Sequence, residues 1–134
     1  MTVTRTGLQE LSWQRLREAR ELARKRHWAG AYYLAGYVVE FALKAAIAKQ
    51  TLRHQFPPTP KQVSEVYSHN LETLRRSAKL PPFDDPTLET NWTLAKDWSP
   101  ESRYRSDISE AEAMDLVRAI GGRKGVFSWL RKYW

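Results

Sequence analysis

Tyr33, Tyr37, Glu40 and Lys44 are spaced i, i+4, i+7 and i+11, which at 100° per residue gathers them into a helical sector about 60° wide. Two phenols, a carboxylate and an ammonium on one face make a polar and aromatic stripe in an otherwise apolar stretch, suited to an interior groove or to a partner. The ordinary explanation is structural: Glu40 precedes Lys44 in the favourable order, and tyrosine hydroxyls often serve as satisfied polar tips at a core edge. Arg103-Tyr104-Arg105 forms a second constellation, just after the helix-breaking Pro100. Two guanidiniums astride a phenol can clamp a phosphate while the ring stacks on a base. Alternatively they pair with Asp97, Glu101 or Asp107, all close by in the chain. His69 is a hydrogen-bonding residue at a helix start or a proton carrier, and to carry protons it must meet the Arg103 loop in space.

The rest of the composition narrows the chemistry. The 134 residues contain no cysteine and only His27, His54 and His69, which excludes disulfides and thiol nucleophiles and leaves no spacing for a zinc site. Neither a metal nor another cofactor is expected. The 22 Lys and Arg against 15 Asp and Glu give a net charge of +7, concentrated in the front of the chain by Arg15, Arg17, Arg20, Arg24, Lys25 and Arg26. Such density attracts polyanions, although Glu18 and Glu21 can also pair with these cations at helical spacing. No secretory signal is visible at the start, so a cytoplasmic location is expected.

These side chains need helices to position them. Leu8, Leu11, Leu16, Ala19, Leu22 and Ala23 recur with helical period up to about Arg26. From Ala29 to about Leu52 a second helix is apolar nearly all round, which makes it the expected buried centre. Its twelve uncharged residues from Trp28 to Val39 are too few for a membrane span, which needs roughly 18 to 20, and no membrane is expected as a partner. Its small residues, Gly36 among them, let neighbouring helices approach closely. Phe56-Pro-Pro-Thr-Pro60 cannot continue a helix, so a loop is expected there, followed by a turn of helix over Gln62–Tyr67. Asn70 lies where a cap is wanted for a short helix burying Leu71, Leu74 and Ala78, which Pro81-Pro82 stops. Asp85 with Pro86 starts a helix burying Leu88, Trp92 and Ala95. Ser99-Pro100 ends it and leaves a polar connection to Asp107. Ser109-x-x-Glu112 has capping-box spacing, and the helix it opens runs to Gly121-Gly122, which ends or kinks it. No strand-like alternation is present, so the fold class is all-α, most simply an up-and-down four-helix bundle with additional short helices.

The run from Trp28 through Glu40-Phe-Ala-Leu-Lys44 to Ala46, then Ser68-His-Asn-Leu-Glu-Thr-Leu74, then Trp98-Ser-Pro-Glu-Ser-Arg-Tyr-Arg105 resembles the HEPN domains (higher eukaryotes and prokaryotes nucleotide-binding). The resemblance covers about Leu8 to Trp134 and implies a single HEPN-like helical domain over residues 1–134. It further implies a homodimer in a toxin-antitoxin or defence system, with RNA or nucleotide as ligand and a minimal nucleotidyltransferase as antitoxin partner. Active members are metal-independent ribonucleases carrying an Arg, four to six residues, then a His. Here no histidine follows His69, and the one formal match, Arg20 with His27, lies at the first helix rather than in the later ones. On this reading Arg103, Arg105 and His69 are the candidate catalytic residues, and Tyr33, Tyr37, Glu40, Lys44 and Tyr104 the candidate RNA or nucleotide contacts. The alternative is a non-catalytic dimerisation or interaction module that docks onto a nucleotidyltransferase.

Overall fold

The computed structural model describes residues 3–54 and 60–134, and every regular element in them is helical. The fold class is all-α. Helix α1 spans Arg5–Arg24 and starts where the Thr4 side chain accepts a hydrogen bond from the Gly7 amide at 3.0 Å, satisfying one of the donors a helix start leaves orphaned. It stops at Arg26, whose φ of 65° places a non-glycine residue in the left-handed region that helix ends commonly use.

Helix α2, Trp28–His54, then runs back along α1. The register shows the antiparallel sense: Ser12 Oγ donates to the Val38 carbonyl at 2.6 Å, while Leu22 lies against Gly30. Ser12 is fully buried, so this bond removes the cost of an orphaned hydroxyl. Val38, Val39, Ala42, Leu43, Ala45 and Ala46 are all fully buried. By length and composition alone α2 could cross a membrane, but the qualifying stretch is 61% buried within the protein. The covering is supplied by α1 and by four later helical segments that pack on α2, over Leu71–Ser77, Pro100–Tyr104, Glu110–Gly121 and Val126–Leu130.

The loop expected at 56–59 lies outside the described residues, and Pro60 opens helix α3, Pro60–Val66. Helix α4 covers Leu71–Ser77; Asn70 Oδ1 accepts from the Thr73 amide at 2.9 Å, and Leu71, Leu74 and Ala78 are fully buried, as their spacing predicts. Helix α5, Pro86–Ala95, begins with Asp85 accepting from Thr87 at 2.7 Å and buries Leu88, Trp92 and Ala95. The connection that follows is not irregular. Ser99 caps a 3-10 helix, Pro100–Tyr104, a short element that needs only i to i+3 bonds and tolerates proline at its first position.

Helix α6 spans Glu110–Gly121. Ser109 Oγ accepts from the Glu112 amide at 3.0 Å, which is half of the expected capping box; the Glu112 carboxylate turns instead to Arg105. Gly121-Gly122 ends the helix rather than kinking it, and a separate helix α7, Val126–Leu130, follows.

One packing event organises the rest. A Cβ at residue 36 would stand 1.8 Å from Trp98 Cδ2, so only glycine lets the indole lie flat on α2. Trp98 Nε1 then donates to the Tyr32 carbonyl at 3.1 Å, and its ring meets Tyr37 edge-on with centroids 4.9 Å apart. That contact seats the end of α5 and the 3-10 helix beside the stripe on α2.

Candidate functional site

Beside the Trp98 seat lies a cleft of about 540 Å³. Tyr37 of α2 forms part of its wall; His69 and Asn70 come from the entry to α4, and Lys96, Asp97 and Trp98 from the exit of α5. Ser99, Pro100, Glu101 and Arg103 complete it from the 3-10 helix. Three segments distant in sequence therefore meet at one opening, and two of the residues, Asn70 and Ser99, are there because they cap the helices that bound it.

Glu40 lies beneath. It is 1% exposed, and a carboxylate so buried survives only if its charge is paired and its oxygens are hydrogen-bonded. Lys44 Nζ donates to one oxygen at 3.3 Å, and His69 Nδ1 contacts the other at 2.9 Å. A carboxylate acceptor fixes the proton of a neutral imidazole on Nδ1 and leaves the lone pair on Nε2. Among the described residues no protein group takes Nε2, and the His69 side chain is 58% exposed. The imidazole is thus oriented from below and open from above.

Tyr37 borders the same space, and Tyr33 backs it. Tyr33 and Tyr37 hydroxyls are 3.3 Å apart, with rings edge to face at 5.4 Å. Burial, followed by the Tyr33 contact, pushes the Tyr37 phenol up to about 12, so Tyr37 keeps its proton and remains able to donate near neutral pH.

Arg103 and Arg105 part company. Arg103 lines the cleft; its Nη1 donates to the Pro100 carbonyl and its Nη2 to the Tyr104 hydroxyl, both at 3.1 Å, and its guanidinium lies 4.6 Å from the Tyr104 ring centroid. The stacking leaves Tyr104 fixed although it is 74% exposed. Arg105 points to α6: Nε donates to Asp107 at 3.0 Å, and Nη1 and Nη2 hold the two Glu112 oxygens at 2.7 and 3.1 Å. The hydrogen bonds it donates to Glu112 and then to Asp107 raise the guanidinium further above its ordinary range, so Arg105 is committed to the structure.

Of the candidates read from sequence, the fold assembles Tyr37, His69 and Arg103 at the opening and places Glu40 and Lys44 behind His69. Tyr33 backs Tyr37, Tyr104 stands outside on Arg103, and Arg105 is turned away. Lys96 lines the cleft without having been singled out; Asp97 and Glu101, read from the sequence only as ion-pair partners for the nearby arginines, line it as well. Four of the six cations at the front of the chain have carboxylate partners. Arg15 pairs with Glu18, Arg24 and Lys25 with Glu21, and Arg26 with Glu110. Arg20 donates to the Gly121 carbonyl at 2.6 Å, while His27 sits exposed in the turn beyond α1.

Set against protein-family models, curated proteins and solved structures, the chain matches none.

Proposed function

We propose that the chain is an HEPN-like up-and-down bundle of a toxin-antitoxin or defence system, which binds RNA or nucleotide in the cleft and cleaves RNA there. The observation that supports this reading is the joint presence of Arg103 and a carboxylate-oriented His69 in one opening. In this scheme His69 Nε2 takes the proton from a ribose 2′-hydroxyl as its oxygen attacks phosphorus. Arg103 stabilises the charge that builds on the phosphoryl oxygens. The bond to the 5′-oxygen breaks, that oxygen takes a proton from solvent water, and the products are a 2′,3′-cyclic phosphate and a 5′-hydroxyl. Tyr37 donates to a phosphate oxygen, with Tyr33 behind it; Glu40 and Lys44 hold His69; Tyr104 offers a face for a base to stack on.

The test is incubation of the purified chain with single-stranded and structured RNA in EDTA, scored for products and for binding. Cleavage that yields cyclic phosphate ends and is lost in His69→Ala, with binding retained, is the expected outcome. Binding without products moves the assignment to the non-catalytic module that docks onto a nucleotidyltransferase, a reading favoured by the single histidine in the cleft, since transesterification needs both a base and an acid. Neither binding nor products removes the RNA assignment altogether.

A further inference from the structure

The seam between α4 and α5 continues past the cleft. Lys96 lines the cleft and also a second hollow of about 380 Å³ on the same seam. Asn70 caps α4 at the cleft, and Arg75, which lines the hollow, follows five residues later on that helix, a rise of roughly 7.5 Å. Neighbouring nucleotides of an extended strand bridge such a distance.

Arg75 is held in the hollow as an oriented plane. Its Nε and Nη2 donate to Glu72 Oε1 at 3.2 and 2.7 Å, and Glu72 Oε2 accepts from Trp92 Nε1 at 2.9 Å. Burial pushes the Glu72 carboxyl up, but the hydrogen bonds from Arg75 and Trp92 and the charges of Arg75 and Lys96 outweigh it and hold it below its ordinary range. The clamp on Arg75 therefore stays charged near neutral pH. The guanidinium carbon lies 5.1 Å from the Phe83 ring centroid and 5.4 Å from that of Trp92. Those two centroids are only 6.0 Å apart, far less than rings on opposite faces of the guanidinium would be, so both back it from one side. Phe83 is fixed in turn against buried Trp129, centroid to centroid 4.8 Å. The Arg75 side chain is 28% exposed; with one face on the rings and one edge on Glu72, the opposite face is what the hollow offers.

Charge decides what fits there. Within the hollow Arg75 and Lys96 are offset by Glu72 and Glu89, so a phosphate has no net attraction to it, whereas a flat neutral ring is complementary, because bases stack on guanidinium planes. Lys96 is exposed, lines both spaces and is in no ion pair among the described residues, which leaves its ammonium for an anion between them.

Resting on the nucleotide-binding reading above, we propose that the hollow is the subsite for the nucleotide next to the one in the cleft: Lys96 takes the phosphate that links the two, and the neighbouring base stacks on the free face of Arg75. The ligand is then an RNA strand of at least two nucleotides rather than a mononucleotide. Stacking of this kind is indifferent to which base arrives, since every base has a π-face.

The experiment uses the full chain and two unlabelled trinucleotides, UpUpU and the same backbone with both end residues abasic, each displacing a labelled octauridylate in fluorescence polarisation. The two competitors carry equal phosphate charge, so they differ only in stacking. The parent chain is expected to bind UpUpU about tenfold tighter. Arg75→Lys keeps the cation over the rings but not the plane, and should bind both trinucleotides alike, with an unchanged helical circular-dichroism spectrum verifying the fold. Lys96→Gln should weaken both by the same factor. Equal affinity of the parent chain for the two trinucleotides overturns the second subsite and leaves nucleotide binding standing, a result that depends on no variant. A difference that survives Arg75→Lys overturns the assignment to the guanidinium plane, and unchanged binding in Lys96→Gln overturns the placement of the linking phosphate. Failure to bind the octauridylate or either trinucleotide overturns both readings.

Discussion

Replacing Arg103 with alanine removes a guanidinium that lines the cleft and only braces its own 3-10 helix, whereas replacing Arg105 breaks a bidentate clamp onto Glu112 at the start of α6. Arg103→Ala is therefore expected to weaken single-stranded RNA binding about tenfold, the scale of one charge-assisted phosphate contact, with an unchanged melting temperature. Arg105→Ala is expected to lower the melting temperature and leave affinity within about twofold of the parent, since Arg105 makes no contribution to the lining. Polarisation titrations and thermal unfolding on the same samples check both. The Tyr37 phenol gives a pH signature. Its pKa is raised to about 12 in the fold from an ordinary value of about 10. Between those values the unfolded chain has released a proton that the folded chain retains, so Tyr37 contributes stability below about pH 10 that is lost as pH rises toward 12. Tyr37→Phe should flatten the fall in stability across that window, as read by urea unfolding, and remove a late-titrating component from the tyrosinate absorbance.

Among the elements, the contact between Gly36 and Trp98 decides where the site stands. Alanine favours a helix over glycine by about 1 kcal/mol, yet a methyl group at residue 36 would overlap Trp98. Gly36→Ala should therefore destabilise the fold, with a net loss of about 1–3 kcal/mol typical of overpacking, and weaken RNA binding at the same time because Trp98 carries the 3-10 helix. Urea titration with a parallel binding curve tests this; a more stable variant would show that the indole has an alternative seat. The individual helices were readable because their signals are local. Asn70, Asp85 and Ser109 each cap the helix that follows, and Leu71, Leu74, Leu88, Trp92 and Ala95 are buried at their expected spacings. The 3-10 helix was not readable, because five residues with a proline and mixed charge carry no periodicity. The left-handed residues Arg26, Lys79 and Lys124 also gave no signal, since glycine is the usual marker of that conformation.

For the molecule as a whole, the charge balance predicts how binding responds to salt. If only Lys96 and Arg103 neutralise phosphates in the cleft, the logarithm of affinity for single-stranded RNA should fall against the logarithm of salt concentration with a slope of about −1.4. Engagement of the six cations near the front of the chain would steepen the slope to about −4. The shallow slope is expected because Arg15, Arg24, Lys25 and Arg26 already have carboxylate partners. Polarisation titrations from low to moderate salt distinguish the two. The amino-acid sequence by itself determined that this protein is helical, that α2 is its centre, and that Tyr33, Tyr37, Glu40 and Lys44 share a face, because periodicity and capping act over a few residues. Only the tertiary structure decided that His69 sits on Glu40, that Arg103 joins the cleft while Arg105 leaves it, and that Asp97 and Glu101 border the same space. Those meetings depend on how loops bring distant helices together around Trp98, and short-range patterns carry no record of that packing.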